Sequence, residues 1–205
     1  MDNSKERYER ERERLSAGLV DVEALTDEFV IDMKYASEDN FIGRKMYPIP
    51  LCALQASTAR KLIEANKELL KKRMRLKIWD AYRPLSVQKL MWDAMPVHDF
   101  VADPSTGGSI HNCGFAVDVT LADIDGRELE MPTGFDDFSE RASRKNADMT
   151  EEAARNLSIL TEIMIKHGFV TINSEWWHYY DEDFKERIPL DIPLEAIAAE
   201  SNAAS

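Results

Sequence analysis

Cysteine is scarce in this chain. Cys52 and Cys113 are the only two in 205 residues, too few for a disulfide framework, and two reduced thiols in a reducing compartment are the expected state. Long apolar runs are missing as well. No stretch approaches the roughly 20 residues of a membrane span, so no membrane partner is expected. The opening Met1-Asp2-Asn3-Ser4-Lys5-Glu6 runs into further charge, without the apolar core of a secretory signal. Unless a leader was removed, the expected location is cytoplasmic. Positive charge is in deficit, with 26 Lys and Arg against 38 Asp and Glu and a formal net charge of -12. Such a surface repels phosphate and argues against nucleic acid as a partner, yet leaves a small zwitterion free to bind. No internal repeat is visible, and nothing indicates an oligomer. The length suits one domain with a proper core.

What is present mixes helix and strand signals. Residues 5–14 alternate Lys or Arg with Glu and carry almost no apolar side chain, the pattern of a solvated helix. Residues 28–35 and 75–82 read as strands, the second stopped by Arg83-Pro84. From Ser57 to Arg73, apolar residues recur at Ala59, Leu62, Ile63, Leu69 and Leu70. This is helical spacing, with Ser57 as the N-cap. A second helix is expected at 85–95 and a strand at 115–121, followed by a long loop to about residue 146. The clearest helix is 150–167, capped by Asp148 or Thr150 and ended by Gly168. Two short strands, 169–173 and 175–180, complete the pattern. Without a regular βαβ rhythm, the reading is α+β: a single domain with a largely antiparallel central sheet flanked by helices.

Only four histidines occur, and two of them sit in motifs with acids. One motif is Ser109-Ile110-His111-Asn112-Cys113-Gly114-Phe115-Ala116-Val117-Asp118, the other Ser174-Glu175-Trp176-Trp177-His178. A catalytic zinc takes three protein ligands and keeps one position open. His111, Asp118 and His178 supply nitrogen, oxygen and nitrogen. Strand alternation puts Ala116, Asp118 and Thr120 on one face, and an acid in so apolar a strand is costly to bury unless paired or metal-bound. Glu175 and His178, three residues apart, cannot share a face of a regular strand. Either the segment carries a bulge, or Glu175 sits at its start where the backbone still turns. That offset suits a carboxylate that stays out of the ligand set and takes a proton from water. Each motif alone would be ordinary structure; together they compose a hydrolytic site. Cys113 reads as a small turn residue, and His167 as a partner of its helix's C-terminal dipole. His98 has no comparable context. Trp176 and Trp177 read as core or as the wall of a small pocket.

Taken in order along the chain, these motifs resemble the zinc D,D-peptidases, most of all the D-alanyl-D-alanine dipeptidases of the vancomycin-resistance type. The segments that carry the likeness are 34–43 (KYASEDNFIG), 79–84 (WDAYRP), 109–118, 134–141 (GFDDFSER) and 174–179, and it spans about residues 29–193. It implies a hedgehog-like zinc D,D-peptidase fold and one zinc ion per chain on His111, Asp118 and His178. It also implies Glu175 as general base and Arg83 as stabiliser of the developing oxyanion, a role that suits a fixed, always-charged donor fork. Tyr35 and Asp136 match positions that hold the substrate's amino group, and Ser109 and Asp80 match further positions lining the site, with orientation of its neighbours as the alternative reading of Asp80. Ile110 and Asn112-Cys113 depart from the family pattern at the pocket rim. The implied activity is hydrolysis of D-alanyl-D-alanine or a similar D,D-dipeptide. The neighbouring reading is a carboxypeptidase or endopeptidase acting on peptidoglycan stem peptides. A metal-binding module without activity would need neither Glu175 nor Arg83. The expected organisation is a charged helical extension at 1–20, the catalytic domain at 21–193 and a mobile tail at 194–205.

Overall fold

The computed structural model describes residues 3–94 and 101–204; His98 lies outside them. The chain opens with helix α1 (Asn3–Ser16). Its charges pair along the helix surface, Arg10 with Glu6 and Arg14 with Glu11. Exposed pairs of this kind contribute only a few tenths of a kcal/mol each. Leu15 is the side chain it buries. Strand β1 (Leu19–Asp21) and strand β2 (Val30–Ile31) follow. The strand expected over 28–35 is therefore cut short. Beyond Ile31 the chain coils into a 3-10 turn, Lys34–Ala36. That turn is held because the Tyr35 carbonyl accepts from both Met46 N and Tyr47 N, and it buries the Tyr35 ring.

Strand β3 (Ala53–Gln55) leads directly into helix α2 (Ala56–Leu70). The helix starts ahead of Ser57, with Gln55 at the N-cap position and no side-chain cap. The Gln55 amide instead donates to the carbonyls of Leu15 and Cys113, tying α1 and the Cys113 turn to the helix start. Strand β4 (Met74–Asp80) and helix α3 (Leu85–Ala94) fall where expected, as does strand β5 (Ala116–Asp123). Helix α4 (Glu151–Lys166) is capped by Thr150, whose hydroxyl accepts from Ala153 N. The chain leaves it through Gly168 at φ 84°. Strands β6 (Phe169–Thr171) and β7 (His178–Asp181) are short. Residues 194–205, expected as a mobile tail, carry helix α5 (Leu194–Ala204) instead. Leu194 and Ile197 are buried, so this segment has an apolar stripe that its Ala, Ser and Glu content concealed.

Five strands form the central sheet in the order β2-β4-β5-β7-β6. Only the β2–β4 pair is parallel, which matches the expected α+β architecture. β5 lies in the middle, and every residue from Ala116 to Ala122 is buried. Its register decides the site. Asp118 stands opposite Asp80 of β4 on one side and opposite His178 of β7 on the other. Residues directly opposite on paired strands project to the same face, so three site residues form a line across the sheet. No helix among the described residues is long and apolar enough to cross a membrane.

Candidate active site

His111 reaches this line from a tight turn. Residues Ile110–Cys113 form a 3-10 turn closed by a capping box. The Ser109 hydroxyl accepts from His111 N, and the Asn112 side-chain oxygen accepts from Ser109 N. Gly114 then reverses the chain at φ 76°, where a Cβ would fall 2.6 Å from Leu19 Cδ2; only glycine fits both demands. His111 Nδ1 donates to the Ala81 carbonyl oxygen at 2.7 Å, which leaves Nε2 as the free lone pair. That nitrogen lies 3.2 Å from His178 Nδ1 and 3.4 Å from Asp118 Oδ1, and the latter two are 3.0 Å apart.

These three atoms have the chemistry and spacing of a metal site. Two imidazole nitrogens and a carboxylate oxygen, all buried, converge on one point. Tetrahedral ligation at ~2.0–2.1 Å sets donor atoms about 3.3 Å apart, close to the separations seen. The charges agree. Burial opposes ionisation of Asp118, but His111 and His178 hold it well below the ordinary carboxylate range. Burial likewise opposes a charge on His111, yet Asp118 raises it. A cation between the three donors would replace a proton in that role.

Glu175 stands beside the cluster and outside it. It precedes β7, and its carbonyl accepts from His178 N at 3.3 Å across the Trp176–Trp177 turn. Of the two backbone solutions expected for this offset, the turn at the strand's start is the one found. The Glu175 side chain lines the cavity, and burial raises its pKa. Trp176 is core: its Nε1 donates to Thr133 Oγ1, and its ring meets Trp79 edge-on. Trp177 is equally buried but borders the cavity.

Arg83 follows β4, and its guanidinium is almost fully buried. Nε and Nη2 donate to Asp80 Oδ2 at 3.2 and 2.6 Å, Nη1 donates to Gln88 Oε1 at 2.8 Å, and the group lies 5.1 Å from the Tyr35 ring centre. Asp80 accepts a further bond from the Tyr47 hydroxyl. The carboxylate is fully buried and does not border the cavity. It therefore holds Arg83 from beneath, which selects orientation of a neighbour over pocket lining between the two readings of Asp80. The Tyr35 hydroxyl donates to Asp136, 3.0 Å from Oδ2. Asp136 has a left-handed backbone, φ 55°, a conformation Asp tolerates better than most residues. Burial, then the Asp118 charge, pushes its pKa up to about 8. Together with Ser109, these residues line a cavity of about 290 Å³. Cys113 is buried, its thiol pushed up to about 11 by burial, and it is not among the converging donors. His167, the C-cap residue of α4, has its Nε2 2.9 Å from Glu68 Oε2.

A family model described as D-ala-D-ala dipeptidase matches residues 15–191. The chain belongs to that family. A D-alanyl-D-alanine dipeptidase of Escherichia coli (strain K12) is 37% identical over 161 residues, covering 78% of this chain and 83% of the relative. One of Enterococcus faecalis is 32% identical over 168 residues, covering 72% and 83%. Among solved structures, a vancomycin-resistance D,D-pentapeptidase with Zn(II) aligns over 74% of this chain and 79% of its own. The identity is 14% and the TM-score 0.43, a likeness too slight to bear on the site.

Three residues of the site escape the sequence reading. Gln88, one turn into α3, accepts from Arg83 and donates to the Ala102 carbonyl. Asn112 closes the His111 turn and also donates to the Arg83 carbonyl at 2.8 Å, joining the metal-facing turn to the arginine. The Ser-x-x-Asn spacing at 109–112 resembles a capping box and was the available signal for Asn112. Tyr47, behind Asp80, had none.

Proposed function

We propose that this family member hydrolyses D-alanyl-D-alanine or a closely similar D,D-dipeptide, using one zinc ion held by His111, Asp118 and His178. The observation that carries the reading is one small cavity that joins three converging donors, a separate raised carboxyl at Glu175 and an acid–tyrosine pair at Asp136 and Tyr35. The names of the relatives support the substrate. Zinc bound there supplies Lewis acidity, polarising the peptide carbonyl and lowering the pKa of water. Glu175 takes the proton of the attacking water and returns it to the leaving amine. Arg83, pre-oriented by Asp80 and Gln88, faces the negative charge that develops on the carbonyl oxygen. Asp136, ionised, pairs with the substrate ammonium, and the Tyr35 hydroxyl fixes its orientation. We assign the catalytic domain to residues 21–193 and a cytoplasmic location, which the two free buried thiols support.

The test compares the free dipeptide with an N-acylated tripeptide ending in D-Ala-D-Ala. An acyl group removes the ammonium and leaves Asp136 without its partner, a loss worth on the order of 10²-fold in kcat/KM. Preferential cleavage of the blocked peptide would instead make the chain a carboxypeptidase. Arg83→Ala is expected to lower kcat/KM by ~10²–10³-fold. Asp80→Asn should move it in the same direction by less, mainly through kcat, because the fork loses its anchor but keeps its charge. Equal kinetics in wild type and Asp80→Asn would refute the anchoring role.

A further inference from the structure

We propose that Arg187 binds the terminal carboxylate of the dipeptide and so makes a free C-terminus a requirement of this enzyme. The inference rests on the dipeptidase reading and extends it to the other end of the substrate. A dipeptide zwitterion carries one charge of each sign. The cavity meets its ammonium with Asp136, but a carboxylate entering it faces Asp118, Asp136 and Glu175 on the walls. A metal on Asp118 and the substrate's own ammonium at Asp136 would offset part of that field, and a side-chain cation facing the carboxylate offsets it directly. Two arginines line the cavity. Arg83 is anchored by Nε and Nη2 on Asp80 and Nη1 on Gln88, and its remaining donors are taken up by the oxyanion role proposed above. Arg187 is exposed. Its one hydrogen bond is from Nη1 to the Gly108 carbonyl at 3.2 Å. Among the described residues it has no carboxylate at ion-pair distance.

Position agrees with charge. Arg187 packs on the 107–109 turn, where a Cβ on Gly107 would lie 4.0 Å from its Cδ. Gly107 and Gly108 both have positive φ. The turn thus presents the arginine beside Ser109, two residues from His111. Asp136 lies elsewhere on the rim. It also borders an outer cavity lined by Lys34, Phe41 and Phe135, which neither Arg187 nor the 107–109 turn reaches. A substrate with its ammonium at Asp136 and its scissile carbonyl at the metal-facing donors has its last residue left to place, and the 107–109 side with Arg187 is open to it. The planar fork of arginine suits a carboxylate.

The experiment measures kcat and KM of wild type, Arg187→Gln and Arg187→Lys on D-Ala-D-Ala and on its C-terminal amide, at low and high salt. Wild type is expected to prefer the free acid. In Arg187→Gln that preference should fall about tenfold, through KM, with Arg187→Lys intermediate. The wild-type KM for the acid should rise with salt, because a rim ion pair is screened, and in Arg187→Gln it should rise less. Wild-type turnover with the same acid-to-amide preference in Arg187→Gln would overturn this inference alone. Loss of equal size on acid and amide would do so too. Absence of dipeptide hydrolysis in the wild type would overturn the proposed function and this inference together.

Discussion

Glu175→Ala should lower kcat by ~10²–10⁴-fold, the range for losing a positioned general base, while zinc content stays at the wild-type level. The separation of these two readouts follows from geometry. Glu175 borders the cavity but is not one of the three converging donors, so truncating it leaves the metal-facing atoms in place. Its protonation gives a second signature. Burial raises the Glu175 pKa and a bound cation would oppose that rise, so the base is lost as pH falls, and the acid limb marks its titration. Asp136, pushed up to about 8, is lost in the same direction. The profile of kcat/KM reports the free enzyme and should carry both limbs, whereas that of kcat reports the complex. In the complex Asp136 is held ionised by the substrate ammonium, leaving Glu175 to set the limb. Normal turnover in Glu175→Ala, or an acid limb of kcat that survives the substitution, would remove Glu175 from this role.

The second large effect is on the metal. Stripping with a chelator should abolish hydrolysis, and added zinc should restore it. Stability should move as well. Asp118 is 4% exposed and sits between two imidazoles, so emptying the site removes the cation that this buried carboxylate faces. A ligand present at a thousand times its Kd stabilises the native state by about 4 kcal/mol. For a chain of this size that corresponds to a Tm difference of roughly 10 °C. His178→Ala should show the low Tm with and without zinc. A Tm indifferent to chelator in the wild type would place the metal elsewhere.

Local chemistry was readable before the fold was known, and long-range partnership was not. His111, Asp118 and His178 stand out because together they supply the donor set of a catalytic metal and because an acid in so apolar a strand needs a partner, and Glu175 because its offset from His178 breaks strand alternation. The reversal of face between Glu175 and His178 predicts an irregular backbone at Ser174-Glu175; the turn extends through Trp176–Trp177, so β7 starts at His178 and not at 175. The register of β5 against β4 left no such trace. For Asp80 two readings therefore stay open in the sequence, pocket lining or an orienting partner, and the pairing selects the second by placing it beneath Arg83. Gln88 and Tyr47 are invisible for the same reason: tertiary folding alone brings them to Arg83 and Asp80. The C-terminal segment misled in another way. Its small and acidic residues mask an apolar stripe that only acquires meaning beside β1, where α5 packs.

The line Asp80–Asp118–His178 across three neighbouring strands limits where this chain can change length. A single residue inserted into β5 ahead of Asp118 would turn every later side chain in that strand to the opposite face, carrying Asp118 out of line with Asp80 and His178. Insertions are tolerable where no register has to be kept, as in exposed stretches of the 124–149 connection clear of the residues that bind it to the sheet, Leu129, Thr133, Asp136, Ala142 and Arg144. Diversification of this scaffold is thus confined to its loops, while the middle of the sheet works as a fixed ruler.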